Sequence, residues 1–229
     1  MNLLLLFSFL MGLPDISAAE QQYHLCETRY DSSCAREQLK NLASVADARV
    51  QLLRARLHLL VAEVGRMHYE HTPASDTAER RRIGDEIDLA ARAGLGILET
   101  METTSEVYRI RADLLGTMIR TPYQATRLRK RMLTATEEAL RLDPKNAHAW
   151  LSAAKPYLFA TPDHGQDLLR AEEAIDKALA LEPHLEQVQV LHALLREKQG
   201  RKIEAMTAWK ALLDANPRCL PAQFALEPH

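Results

Sequence analysis

The 229-residue sequence predicts an all-α fold in which consecutive helical hairpins stack on one another. Three Ala/Leu-rich segments each end on a proline, at Pro144, Pro183 and Pro217, which are 39 and 34 residues apart. A helix rarely continues through proline, because the ring removes a backbone donor and clashes with the preceding turn. The composition agrees, since glycine is scarce, with 8 residues, while the strong helix formers Ala, Leu, Arg and Glu dominate. Regular stops at this spacing indicate repeated helical pairs rather than one compact core.

A second motif recurs between the two helices of each pair. Thr72-Pro73, Thr121-Pro122 and Thr161-Pro162 are 49 and 40 residues apart, and Gly200 takes the corresponding turn in the last pair. Threonine followed by proline favours a helix start, because the hydroxyl accepts a bond from a free backbone N–H and proline fits the first helical position. Together the two motifs predict about four antiparallel helical hairpins.

Apolar residues at steps of three and four place the helices along the chain. The first helix is predicted to run without a break over residues 35–67, and the second carries the stripe over 83–101. Gly94 and Gly96 lie inside the second helix, where they cost stability and are expected to allow close approach of a neighbouring helix. The remaining helices are predicted at about residues 105–118, 124–142, 147–159, 166–181, 185–198 and 201–215, with a capping turn or helix after Pro217.

Residues 1–19 differ in composition from the rest of the chain. An apolar run over residues 3–13 is followed by Pro14, and the small residues from Ser17 to Ala19 supply a cleavage site. This pattern predicts a secretory signal peptide, although no Lys or Arg precedes the run. The run is too short to span a bilayer, which takes about 20 residues. We therefore predict cleavage after Ala19 and a periplasmic or secreted protein, the alternative being a membrane-associated or disordered N-terminus.

Cysteines and net charge narrow the choice of compartment and partner. Cys26 and Cys34 flank a polar segment just past the cleavage site, and Cys219 is left over. In an oxidising compartment the first two are predicted to form a disulfide, the alternative being three free thiols. The net charge of −2 gives no electrostatic reason to expect nucleic acid or an anionic membrane as partner.

The last two hairpins resemble tetratricopeptide (TPR) repeats. The family pattern has an aromatic and small residues in the first helix, then a small residue, an apolar residue and proline in the second. In the hairpin that ends at residue 183 these positions are occupied by Trp150, Ala153, Ala154, Tyr157, Ala171, Ile175, Ala178 and Pro183. The next hairpin matches at Ala193, Gly200, Ala205, Trp209 and Pro217, but Gln189 stands where the aromatic is usual. The match is weaker over 105–146, and the hairpin at 35–101 shows helical periodicity alone.

The resemblance implies a right-handed α-solenoid whose first helices line a concave groove. Counting from the aligned aromatics, the residues that would face the groove are Arg109, Asp113, Thr117, His148, Leu151, Lys155, Phe159, Val190, Leu194 and Lys198. Such a mixture suits an extended peptide, with Arg and Lys for its carboxylates. The Lys/Asn/Arg clamp of chaperone-binding members is not reproduced, so that function is not expected.

Two histidines and two basic clusters are further candidates for a site. His68 and His71 are three residues apart, but no third ligand lies near them in sequence, so no metal site is predicted. Residues 80–82 and 127–131 are rich in Arg and Lys, with acidic residues close by. We expect solvated, ion-paired helix faces, the alternative being a patch for an acidic partner.

The sequence predicts a binding module rather than an enzyme. No nucleophile motif, phosphate-binding glycine loop or zinc-type cysteine spacing occurs, and no cofactor is expected. The predicted organisation is a signal peptide (1–19), an N-terminal segment (20–34), an atypical hairpin (35–104), TPR-like repeats (105–217) and a C-terminal cap or tail (218–229). We expect an exported adaptor or assembly factor that binds a partner protein or peptide in its groove. The alternative is a transporter accessory that holds a small molecule between the repeats and the first hairpin.

Overall fold

The computed structural model describes residues 15–227, and over this range its regular structure is entirely helical. In chain order the helices are α1 (Ile16–Thr28), α2 (Ser32–Asn41), α3 (Ala48–His71), α4 (Thr77–Glu99), α5 (Ser105–Thr117), α6 (Pro122–Leu142), α7 (Ala147–Leu158), α8 (Leu168–Leu181), α9 (Glu186–Lys198), α10 (Lys202–Ala215) and α11 (Leu220–Leu226). One turn of 3-10 helix, Pro162–His164, lies between α7 and α8. The all-α prediction is confirmed. Residues 1–14 of the predicted signal peptide lie outside the described residues, and the predicted cleavage site after Ala19 falls near the start of α1.

The chain divides into two compact units, Met1–Met101 and Glu102–His229. In the described part of the first unit, α3 and α4 form a long hairpin, and α1 and α2 both pack against α3. The interior of this unit is mainly aliphatic, and its buried side chains include Val50, Leu53, Leu57, Leu60, Val64, Ile83, Ile87 and Leu98.

The predicted continuous helix over residues 35–67 is wrong, because α2 and α3 are separate helices. Asp47 caps the start of α3. Its carboxylate accepts hydrogen bonds from the backbone N–H of Arg49 at 2.8 Å and of Val50 at 3.3 Å. An N-cap satisfies donors that only a helix start exposes. Apolar periodicity does not detect the break, because the stripe continues across it.

Close approach between α3 and α4 occurs at Gly65 rather than at Gly96. A Cβ atom added at Gly65 would lie 2.9 Å from Cγ1 of Ile87, whereas one added at Gly96 would meet no atom within 4 Å. Gly94 is buried, but Gly96 is exposed. The expectation that Gly96 serves helix packing is therefore wrong.

The second unit is a stack of hairpins over its described residues. The pairs α5/α6, α7/α8 and α9/α10 follow one another, each packs against the next, and α11 packs on α10. The predicted helix bounds in this unit agree with the structure to within two residues, and the segment after Pro217 is a helix. Small and aliphatic side chains fill the central part of the stack: Ala147, Leu151, Ala154, Leu158, Ala171, Ile175, Ala178, Val188, Leu191 and Leu195.

A hydrogen bond recurs at the three proline stops. In each case a side-chain N–H in the first turn of the next helix donates to the proline carbonyl six residues earlier. The pairs, donor first, are Trp150 and Pro144 (2.9 Å), Gln189 and Pro183 (2.7 Å), and Gln223 and Pro217 (2.8 Å). Gln189, at the usual aromatic position, thus supplies the same type of donor as Trp150. Gln51 donates to the carbonyl of Val45 in the same way, so the first hairpin begins with the same local structure.

The three Thr-Pro motifs have different local structures. Thr121 caps α6 and accepts a bond from the backbone N–H of Gln124 at 3.2 Å. Thr72 instead ends α3 and donates to the carbonyl of His68 at 2.8 Å. Thr161 precedes the 3-10 turn. The predicted N-cap is confirmed at Thr121 and wrong at Thr72, where the loop before α4 is long enough for another residue to cap that helix.

Candidate partner-binding groove

The predicted groove residues lie on or directly after α5, α7 and α9, and burial separates them into two sets. The buried set is Arg109, Asp113, Thr117 and Leu151. The more accessible set is His148, Lys155, Phe159, Val190, Leu194 and Lys198. The α5 positions therefore belong to the interior of the stack, whereas α7 and α9 supply the accessible part of the predicted groove.

A buried carboxylate on α5, Asp113, lies at the centre of a polar network. Its side chain is only 4% exposed. Oδ1 accepts a bond from Nζ of Lys155 at 2.9 Å, and Oδ2 accepts from Oγ of Ser152 at 2.9 Å and from Nη1 of Arg109 at 3.2 Å. A buried charge persists where opposite charges and hydrogen bonds compensate it. Because Ser152 and Lys155 belong to α7, the network joins the first helices of two consecutive hairpins.

Arg109 extends this network to a second carboxylate. Its Nε donates to Oε2 of Glu106 at 3.0 Å, and its Nη2 donates to Oε1. Two carboxylates and two cations thus neutralise one another. The hydroxyl of Thr117, one turn beyond Asp113, donates internally to the carbonyl of Leu114 at 2.8 Å. In this structure the α5 residues contribute to packing between hairpins, and their predicted role in partner binding stays a prediction.

Glu106 and Ser152 belong to this network but not to the predicted groove set. The sequence contains a signal for Glu106, since Glu106, Arg109 and Asp113 are spaced three and four residues apart, where side chains meet on a helix. Ser152 gives no comparable signal, because its carboxylate partner lies 39 residues earlier in the chain.

The accessible side chains on α7 and α9 combine apolar and basic groups. Phe159 is 49% exposed, and Lys155 keeps 24% of its side chain exposed while it bonds to Asp113. Val190, Leu194 and Lys198 follow one another at steps of four and so share a face of α9. The two helices pack against each other. We call Lys155, Phe159, Val190, Leu194 and Lys198 the α7/α9 surface.

Polar side chains near the C-terminal end of α9 bond to a carboxylate of α8. Nη1 of Arg196 donates to Glu172 at 2.6 Å, and Gln199 donates to the same carboxylate at 2.9 Å. The hydrogen bond from Arg196 is the main cause that lowers the pKa of Glu172. Burial, together with the charge of Arg196, lowers the pKa of His192, which favours the neutral ring. These contacts fasten α9 to the second helix of the preceding hairpin.

Arg129 of α6 contacts the lengthened inner turn between α7 and α8, residues 159–167. Nη2 of Arg129 on α6 donates to the carbonyl of Gly165 at 3.0 Å. The guanidinium carbons of Arg129 and Arg170 lie 5.3 and 5.5 Å from the ring centroid of Tyr157, within range of cation–π attraction. The turn therefore has a defined conformation next to the C-terminal end of α7.

The histidines and cysteines singled out by the sequence have contacts of their own in the structure. Nδ1 of His71 lies 2.9 Å from the carbonyl of Met67, and within residues 15–227 no three His, Cys, Asp or Glu side chains are grouped to hold a metal ion. Cys26 and Cys34 form a disulfide in the structure, with Cα atoms 5.5 Å apart, and Cys219 is buried. In the same range no helix combines the length and apolar character that crossing a membrane requires.

The succession of paired helices defines the class of the protein as a TPR-like helical repeat. The sequence matches no protein-family model and no curated protein sequence. The crystal structure of a thermophilic TPR protein from Thermus thermophilus is similar to this structure, with a TM-score of 0.55 and 18% sequence identity. The similarity covers 92% of this chain and 94% of that chain. At this identity the likeness shows the fold, and it confirms the TPR-like solenoid.

Proposed function

We propose that this TPR-like chain is a non-catalytic adaptor or assembly factor that binds a partner protein through the α7/α9 surface. The contrast between the two parts of the predicted groove carries the proposal. The Asp113 network occupies the α5 side, whereas Phe159, Val190 and Lys198 remain accessible on the other side. Stacked helical repeats use extended surfaces of this kind to bind other proteins.

An extended segment of the partner suits the mixture of groups on this surface. Phe159, Val190 and Leu194 offer apolar contact, and Lys198 offers a charge for a carboxylate. Lys155 already donates to Asp113, and Arg109 is buried against two carboxylates. We therefore assign carboxylate recognition to Lys198.

A non-catalytic role is supported by the way in which the buried charges are used. Arg109, Asp113 and Lys155 are each bonded to a group of opposite charge. Their charged atoms are thus occupied by contacts within the protein.

Export is the second part of the proposal. It is supported by the signal-like pattern of residues 1–19 and by the Cys26–Cys34 disulfide, a bond that persists in oxidising compartments. The intact mass of the chain, recovered from a host with a secretory pathway, tests it. We expect a chain that begins at Glu20 and lacks two hydrogen atoms because of the disulfide. A full-length, fully reduced chain would contradict export.

The groove assignment is tested by replacing accessible residues of the α7/α9 surface. The groove variant combines Phe159→Ser, Val190→Ser and Lys198→Glu in the full chain. Partners are crosslinked in the native compartment and quantified. We expect recovery of the bound partner to fall by about tenfold or more, because a few central residues carry most interface energy.

A matched control makes the same kinds of change on second helices. Leu169→Ser and Ile203→Ser replace side chains that are 73% and 84% exposed, and Lys210→Glu reverses an exposed charge. The control variant should keep its partners, and circular dichroism should show that both variants are folded. Equal recovery with the two variants would refute the groove assignment.

A further inference from the structure

In the basic cluster at residues 80–82, Arg82 pairs with two carboxylates of its own helix. Arg82 donates to Glu79 at 2.7 Å and to Glu86 at 2.6 Å. The guanidinium of Arg80 lies 4.3 Å from the ring centroid of Tyr69. The expected ion pairs are thus present at Arg82.

Unlike Arg82, the cations of the cluster at residues 127–131 form no ion pair with a carboxylate of the described residues. Arg129 bonds to the backbone of the inner turn. Arg127, Lys130 and Arg131 are exposed, and no carboxylate in the described part of the chain forms an ion pair with any of them. The nearest acidic residues on α6 lie beyond this cluster, where Glu138 pairs with the arginine three residues later. The expectation of an ion-paired face is wrong for this cluster.

These three cations share one side of α6 with an exposed aromatic residue. Tyr123, Arg127, Lys130 and Arg131 are spaced so that they fall on one face of the helix, and Tyr123 is 74% exposed. At a rise of about 1.5 Å per residue, the face is about 12 Å long from Tyr123 to Arg131. We call these four residues the α6 face. It lies on the second helix of its hairpin and shares no residue with the α7/α9 surface.

The length of the α6 face and the net charge of the chain favour a short anionic ligand over a long polyanion. An extended peptide advances about 3.3 Å per residue, so about four residues cover the face. A long polyanion would extend beyond the α6 face and be repelled by the rest of the chain, because the net charge is −2. A short acidic segment senses mainly the local field, because charges more than about 10 Å away are screened at moderate salt.

We infer that the α6 face is a second docking surface, which binds a short acidic segment of a partner protein. Carboxylates of the segment pair with Arg127, Lys130 and Arg131, and an apolar residue beside them packs on the Tyr123 ring. Two surfaces on separate helices allow an adaptor to engage one partner in its groove and an acidic segment on its outer helix.

Fluorescence anisotropy with a defined probe tests this inference. The probe is a labelled peptide of alternating Asp and Glu around one Leu, and a peptide with Lys in place of the acids is the reference. We expect the full chain to bind the acidic peptide and not the basic one, with affinity that falls as salt rises. Arg127→Gln, Lys130→Gln and Arg131→Gln together should weaken binding by about tenfold or more, since each exposed pair contributes a small increment.

The control variant removes the same number of positive charges, three, from other positions in the second unit. Lys202→Gln, Lys210→Gln and Arg218→Gln replace exposed cations, and this variant should bind the acidic peptide as the original chain does. Circular dichroism establishes that both variants are folded, and Tyr123→Ala alone should weaken binding without a change in charge. The groove variant should also bind the peptide normally, which separates this inference from the proposed function.

Three results would overturn the inference. The first is no binding of the acidic peptide at low salt. The second is an equal loss in the α6 and control variants. The third is tighter binding of anionic phosphatidylserine vesicles or of a DNA duplex through the same three cations, which would assign the face to a membrane or to nucleic acid.

Discussion

Asp113 is the side chain whose loss we expect to weaken the packing of α5 against α7 most. It receives bonds from Arg109, Ser152 and Lys155. Asp113→Asn keeps the size of the side chain but leaves two cations without their shared counter-charge. Breaking a buried ion pair from one side costs about 3 kcal/mol or more. Urea titration should therefore show a free energy of unfolding lower by about 3 kcal/mol.

Glu204→Gln provides the matched control for this change. Glu204 pairs with Arg201 at 2.6 Å, but both side chains are about half exposed. Solvent screens such a pair, so the free energy of unfolding should fall by less than about 1 kcal/mol. If the two substitutions had equal effects, burial of the Asp113 network would not be the source of its stabilisation.

His58 on α3 gives the first unit a specific dependence on pH. Burial and then the charge of Arg54 lower the pKa of His58 to about 4, from an ordinary value of 6.5. The unfolded chain therefore takes up a proton that the folded chain resists between pH 6.5 and 4, and stability falls as pH falls through this window. The loss caused by His58 should reach about 3 kcal/mol near pH 4.

The His58→Gln variant isolates this contribution from other acid effects. Its free energy of unfolding should fall less than that of the original chain between pH 7 and pH 4, as measured by urea titration at each pH. His184→Gln replaces an exposed histidine and should keep the original profile. Parallel profiles for the original chain and His58→Gln would show that the imidazole is not desolvated.

The inner turn after α7 requires glycine at one position. Gly165 has φ = 90°, in the left-handed region, and a Cβ atom there would lie 2.4 Å from Nη1 of Arg129. Gly165→Ala should destabilise the second unit by about 1 kcal/mol or more, because it strains the backbone and displaces the arginine. Hydrogen exchange should become faster at the backbone of residues 159–167.

Gly96→Ala is the matched change in a helix. An added Cβ there meets no atom within 4 Å, and alanine favours helix by up to about 1 kcal/mol relative to glycine. The melting temperature should therefore rise for Gly96→Ala and fall for Gly165→Ala. A fall in melting temperature for both variants would contradict this contrast, because it would mean that Gly96 also occupies a position that cannot accept a side chain.

Elements of the second unit were predictable because local signals mark their ends. Proline stops and Thr121 at an N-cap are properties of neighbouring residues, and they placed six helices closely. The break between α2 and α3 was not predicted, because the apolar stripe continues past Asp47, the residue that caps α3. Gln189 departs from the aromatic residue usual at its position in the repeat. Its amide nevertheless donates to a proline carbonyl six residues earlier, as the indole of Trp150 does.

Site residues were less predictable than helices, because accessibility depends on distant parts of the chain. The repeat register correctly placed Arg109 and Asp113 on a first helix. Their burial follows from Ser152 and Lys155 on the next hairpin, about 40 residues later. Likewise the acidic residues near 127–131 in sequence suggested ion pairs, but helix geometry places them too far along α6.

At the level of the whole molecule, we propose that the TPR-like stack is a scaffold and that the α7/α9 surface and the α6 face bind partners. The charges between α5 and α7 are used internally, so they connect hairpins. Among the described residues, Lys198 on the α7/α9 surface and the three cations of the α6 face form no ion pair with a carboxylate.

Site-specific photo-crosslinking tests whether the α7/α9 surface binds the partner protein. A photo-reactive amino acid is placed at Phe159 or Val190 in the α7/α9 surface and, for comparison, at Leu169 or Ile203 on second helices. We expect one partner protein to be crosslinked in the native compartment from Phe159 and Val190, and not from the comparison positions. Crosslinking of that partner only from Leu169 or Ile203 would contradict the proposed function, because its binding site would then lie outside the predicted groove.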